Sequence, residues 1–247
     1  DVVRAHLATE TSSTLVTAVL DRTLGPVRSR TASPDEVGEV TTGVAGACLA
    51  GLALSPDPEV AVALTRGVVA TARDTDLLER WLATGRTDEG VDLDPSLRWS
   101  ALARLAALGA IDGERIEAAR VADGSYAGDL GAARALAARP TSAAKAEAWA
   151  AMTEPDVSNR LFESLAAGLW DASRPELCAP YVDAYLTQGP DIARRRGQGF
   201  SLVLGRNAFP SLALSADQRS RLAEILESGD VPTVLARQWN DALDDLS

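Results

Sequence analysis

Residues 95–108 read PSLRWSALARLAAL, with Asp94 before them and Gly109 after. Leu97, Ala101, Leu105 and Leu108 recur at i, i+4, i+8 and i+11, one stripe of an α-helix. Trp99, Leu102 and Ala106 form a second stripe beside the first. An apolar surface that wide must touch neighbours on two sides. A helix stacked between other helices meets that need, whereas the outer helix of a bundle does not.

Outward from this helix, start signals recur. Ser33-Pro34-Asp35-Glu36, Ser173-Arg174-Pro175-Glu176 and Ser215-Ala216-Asp217-Gln218 read as capping boxes, and Asp57-Pro58 and Asp94-Pro95 as acidic caps followed by proline. Thr141 reads as the cap of a helix carrying Lys145 and Trp149. The pattern predicts helices near 2–9, 11–29, 34–54, 57–72, 74–84, 95–108, 112–122, 127–138, 142–152, 156–170, 174–187, 190–205, 216–227 and 231–245. Gly85, Gly109, Gly131 and Gly229 are expected stops or kinks. Gly38, Gly43, Gly46 and Gly51 fall inside one helix, where each costs up to about 1 kcal/mol, so close helix–helix approach is expected there. Residues 85–95 form the longest polar interruption and read as a surface loop. Val, Ile, Tyr and Phe nowhere alternate in runs, so no sheet is expected. No exact internal repeat occurs. The expected fold is all-α: an irregular α-solenoid, a HEAT- or armadillo-like superhelix of helix pairs, spanning residues 1–247 as a single domain.

Hydrophobic residues make up 46% of the 247, ample for a buried core, and the aromatics only 4%, so Ala and Leu must build it. The 24 Lys+Arg against 35 Asp+Glu leave a net charge of −11, which argues against a nucleic-acid partner. No apolar run approaches the ~18 residues of a membrane span. Asp1-Val2-Val3-Arg4 does not open a signal peptide. Cys48 and Cys178 sit far apart in apolar helical contexts. Two buried free thiols are expected, which suits a reducing, cytoplasmic compartment. The chain does not begin with Met, and a domain excised from a longer protein is the simplest expectation.

Leu97-Arg98-Trp99, Leu102, Leu105, Gly109, Ala138-Arg139-Pro140-Thr141, Lys145, Ala148-Trp149, Ser158-Asn159, Gly168, Leu177, Pro180-Tyr181, Tyr185 and Phe209-Pro210 follow one another in turn. In this order and at these spacings the stretch resembles the C-terminal helical domain of the aminopeptidase N family of zinc metallopeptidases, in its actinobacterial form. Leu82, Gly85, Val91 and Asp94 fit more loosely upstream, and the tail hardly fits at all. The resemblance implies a curved stack of helix pairs that covers the catalytic site and helps enclose the peptide. It implies a parent enzyme that removes N-terminal residues from peptides with a zinc-activated water. Zinc and the catalytic residues would lie upstream of Asp1. The partners would be the upstream catalytic domain of the same chain and the peptide substrate.

His6 is the only histidine. A zinc site of that kind needs two histidines one helical turn apart and a glutamate beside the first. No H-E-x-x-H is present, nor the family's G-A-M-E-N motif, so no metal, cofactor or catalytic residue is expected in this chain. Gly124 to Gly128 follow no strand and make no dinucleotide fingerprint. The five tryptophans, Trp81, Trp99, Trp149, Trp170 and Trp239, are expected core anchors. One basic cluster stands out: Arg194-Arg195-Arg196 and Arg206, on one predicted helical segment. Arg195 and Arg206 are eleven apart and would share a face. Ion pairing with nearby acids is the plainer reading. The sharper one makes Arg195, Arg196 or Arg206 a substrate-binding group, because guanidinium forks grip carboxylates at two points. Arg196 falls where members of the resembled family often carry an Arg ahead of the Phe-Pro turn. The triple Arg departs from that pattern and leaves open which one faces inward.

Two classes of function follow. One is a non-catalytic domain of a zinc aminopeptidase, not an enzyme by itself. The other is a free-standing α-solenoid scaffold that binds a protein or peptide partner in its groove. A third, an enzyme built on scattered carboxylates, would require single Asp or Glu substitutions to abolish an activity. An H-E-x-x-H upstream of Asp1 separates the first from the second.

Overall fold

Local caps and Ala/Leu periodicity leave little chain between helices. The computed structural model describes residues 6–30, 33–54 and 56–245. A 3-10 turn, Leu7–Thr9, comes first; residues 2–5 of the helix expected at 2–9 lie outside the described residues. There follow α1 (Ser13–Arg30), α2 (Pro34–Ala53), α3 (Pro58–Thr71), α4 (Thr75–Thr84), α5 (Pro95–Leu108), α6 (Gly113–Asp123) and α7 (Tyr126–Ala138). Then come α8 (Ser142–Thr153), α9 (Asn159–Leu169), α10 (Pro175–Arg196), α11 (Gln198–Asn207), α12 (Ala216–Glu227) and α13 (Thr233–Asp245). One antiparallel bridge, Arg86 to Asp92, is the only β pairing among the described residues. It closes the polar 85–95 segment into a surface turn that Arg80 secures by a two-point grip on Asp88.

Asp57, Asp94 and Thr141 cap as their sequence context indicates, accepting from the backbone N–H of Glu59, Leu97 and Ala144. Ser33 accepts from Glu36 N–H, and Ser215 closes a full capping box with Gln218. Ser173 does not cap. Arg174 takes the N-cap position, and the Ser173 hydroxyl donates to Asp171 instead. Gly85 and Gly109 end α4 and α5 at φ 73° and 76°. Gly131 stops nothing: it lies inside α7, and the Trp99 side chain packs so closely that an added Cβ would meet Trp99 Cβ at 2.9 Å.

The break expected between 187 and 190 is also misplaced. Helix α10 runs through Pro180 and Pro190, and the chain turns at Gly197, at φ 80°, ψ −177°. Proline fixes a helix-compatible φ and removes one donor. The Trp239 ring seated on Gly189 secures the helix across that gap; a Cβ there would come within 2.9 Å of the ring. Among the glycines of α2, Gly51 does mark close approach, with Leu64 Cδ1 2.9 Å from an added Cβ, whereas Gly46 faces open space.

Helices α3, α5, α7, α9, α11 and α13 touch in that order and form an inner row; α4, α6, α8, α10 and α12 each pack on the inner helix that follows. Such contact in chain order is consistent with the expected irregular solenoid. The buried side chains form two clusters that meet on α7, Ala138 in the first and Ala137 in the second. Trp81, Trp99, Trp170 and Trp239 are buried in these clusters, whereas Trp149 is half-buried against Tyr181, ring centroids 6.0 Å apart. Where the clusters join, α9 lies directly on α7. A Cβ on Gly168 would collide with the Arg134 carbonyl and meet Ala137 Cβ at 2.8 Å. The fully buried Lys145 on α8 binds both helices, its Nζ donating to Ala137 O (2.8 Å) and Gly168 O (2.9 Å).

Two measurements check this packing. Gly168→Ala should lower stability by about 3 kcal/mol, because backbone rather than a flexible side chain blocks the new methyl group; denaturant midpoints will show it. Cys48 is a fully buried free thiol that burial pushes up from 9.0 to about 12. Above pH 9 the unfolded chain releases a proton that the folded chain keeps. Stability should therefore fall from pH 9 to about 12, by up to ~1.4 kcal/mol per pH unit. Cys48→Ala should cost a constant packing increment at pH 8 and show a narrower gap from wild type at pH 10.5.

Candidate functional site

The inner row brings together arginines that are distant in sequence. A cavity of about 260 Å³ opens between α2, α3, α5, α7, α9 and the segment before α10. Arg66 enters it from α3, Arg73 from the turn after α3, Arg104 from α5, Arg134 from α7 and Arg174 from the start of α10. Among the described residues Asp171 is the only acidic one in its wall.

Two of the five guanidiniums are tethered to main chain. Arg104 Nε donates to Ala72 O (2.6 Å) and Nη2 to Thr71 O (3.3 Å), capping the carbonyl end of α3. Arg174 Nη1 donates to Ala107 O (3.0 Å) and pairs with Asp171 at 3.2 Å, so it joins α10 to α5 across the cavity. Arg66, Arg73 and Arg134 are exposed to solvent and make no hydrogen bond or ion pair with the described residues. Arg134 remains accessible, yet the protein mass around it holds its guanidinium below the ordinary arginine range by desolvation. The arrangement can bind anions.

The cluster read from the sequence lies elsewhere. Arg195 lies in the last turn of α10 and Arg206 in the last turn of α11, both exposed and without a hydrogen bond or ion pair among the described residues. The turn at Gly197 separates their helices, so three turns of one helix do not relate them. Arg196 Nη1 donates to Pro155 O (2.7 Å), Nη2 donates to Val157 O, and its Cζ sits 4.1 Å from the Phe200 ring centroid. Arg194 pairs with Asp191 and donates to Asp230 O at 2.6 Å. None of these four lines the cavity. The cavity arginines were missed because their spacing follows the stacking of helices, which no linear motif encodes. His6 is exposed, and no group of three His, Cys, Asp or Glu that could hold a metal ion occurs among the described residues, so they do not fit a zinc site.

Arg196→Ala should lower stability by about 1–2 kcal/mol, since it removes two charge-assisted bonds and a cation–π contact. Arg195→Ala and Arg206→Ala should stay within about 0.5 kcal/mol. Thermal and urea unfolding of the three variants side by side will decide.

Comparison with known proteins agrees with this helical architecture. The family model described as the ERAP1-like C-terminal domain matches residues 1–247. An aminopeptidase N from Streptomyces lividans is 36% identical over 180 residues, covering 71% of this chain and 21% of that protein. The match thus spans about a fifth of the relative's length. The chain belongs to the ERAP1-like C-terminal domain family and is similar to the corresponding part of an actinobacterial aminopeptidase N.

Proposed function

We propose that this chain is the non-catalytic C-terminal domain of a zinc aminopeptidase, where it covers the catalytic site and forms part of the wall around the peptide. The observation that carries this reading is the family match over all 247 residues, with an aminopeptidase N as the aligned relative. In that setting residues 1–247 are one helical domain of a longer chain, and their first partner is the catalytic domain upstream. Zinc, held by that upstream part, supplies an activated water when bound. The present residues exclude bulk water and orient peptide. The contact order of the helices supports a HEAT-like stack. The two free, buried thiols support a reducing, cytoplasmic location. No helix among the described residues is long and apolar enough to cross a membrane.

Arg195, Arg196 and Arg206 remain the residues offered to the substrate's C-terminal carboxylate. Arg195 and Arg206 are the stronger candidates, because their guanidiniums have no partner among the described residues while Arg196 is tied to residues 155 and 157. The test uses the full-length enzyme with free-acid peptides, their C-terminal amides and single-residue chromogenic substrates. Deleting residues 1–247 should impair peptide turnover far more than chromogenic turnover. Arg195→Ala or Arg206→Ala should raise KM several-fold for the free acids alone, a modest effect because exposed charge pairs are screened. Equal losses on all three substrate types, or none on any, would overturn the reading.

A further inference from the structure

An acidic chain has carboxylates to spare, and several surface arginines find one. Arg80 pairs with Asp88, Arg115 with Glu79, and Arg120 with both Glu117 and Asp129. Arg66, Arg73 and Arg134 do not, although the chain carries a surplus of eleven negative charges and all three share one cavity. Beside them Arg104 and Arg174 are held by main-chain carbonyls, and Arg174 also pairs with Asp171. Five arginines thus face one aspartate, and Asp171 is itself engaged by Arg174 and Ser173. Arg73 also borders an open groove containing Asp35 and Glu39, so Arg66 and Arg134 are the cleaner probes.

We propose that this cavity is a receptor for a compact oxyanion of two or more negative charges, held by Arg66, Arg73 and Arg134. Guanidinium forks fit the planar edges of carboxylate and the oxygens of phosphate. A volume of about 260 Å³ admits a small polyanion or the end of a chain and excludes a folded partner. A single carboxylate would leave most of the charge uncompensated. The desolvated setting of Arg134 favours a bound anion over bulk water as its neighbour. Two sources share this chemistry: a free oxyanion such as inorganic phosphate or a tricarboxylate, and a peptide end that presents two carboxylates together. The site stands on its own geometry, whether or not the chain covers a catalytic centre.

Isothermal titration calorimetry at low ionic strength tests the proposal, with citrate and inorganic phosphate as probes. The wild-type chain should bind citrate saturably, and more weakly as salt rises. Arg134→Gln and Arg66→Gln should each weaken binding about tenfold or more. Arg160→Gln, an exposed arginine outside the cavity, should leave it unchanged. Helicity by circular dichroism, matched to wild type, establishes that each variant is folded. Competition then separates the sources. Displacement of citrate by a peptide ending in Asp or Glu as the free acid, but not by its amide, identifies a chain end. Failure of both peptides to compete identifies a free oxyanion. Absence of saturable citrate and phosphate binding in the wild type, or equal weakening in Arg134→Gln and Arg160→Gln, would overturn the proposal.

Discussion

The backbone of α9 rests on the backbone of α7, and a buried ammonium group holds the two together. Gly168 makes the approach possible, because any side chain there would strike the Arg134 carbonyl. Lys145 makes it stable. Its Nζ meets two carbonyls near the C-terminal ends of α7 and α9, where the helix dipole favours positive charge. Burying a lysine is costly, and desolvation pulls its pKa below the ordinary value. Loss of the side chain would leave both acceptors buried and unsatisfied. The two hydrophobic clusters meet at this contact, so the N-terminal and C-terminal halves of the stack depend on it.

The cavity is a consequence of the same contact. Ala138 and Gly168 form part of its wall, and Arg134 leaves α7 one turn before the pinned carbonyls. Because the inner helices touch in chain order, each adds a turn to one surface, and arginines from separate segments converge there. Arg174 reaches back to Ala107 and fixes the far side. Carboxylates engage arginine elsewhere, as in the bridge between Glu79 of α4 and Arg115 of α6.

Much of the fold was legible because its signals are local. An acceptor at Asp57, Asp94 or Ser215 needs only the N–H groups two or three residues on, so caps and helix starts could be read directly. The misreadings share a cause. Gly131 reads as a kink until Trp99 is placed against it, and residues 187–190 read as a break between helices until Trp239 braces Gly189. Ser173 reads as a cap until Asp171 takes its hydroxyl. In each case a residue remote in sequence, or a competing acceptor, outweighed a local preference. The family was legible for another reason: the ordered series holds packing residues. Trp99 binds Asp123, Lys145 binds Gly168, and Tyr185 donates to Leu204 O while accepting from Trp239.

By itself the sequence determined the helical class, the positions of nearly every helix start, the burial of both thiols and the family. All of these follow from interactions within a few residues, or from an ordered series of packing residues. Only the tertiary structure decided which arginines are free to act. It tied Arg196 to the loop at residues 155–157, divided Arg195 from Arg206 at Gly197, and brought Arg66, Arg73 and Arg134 to one cavity. The physical reason is that a guanidinium's role is set by the acceptors within its reach. Helix stacking, rather than sequence spacing, decides which acceptors those are.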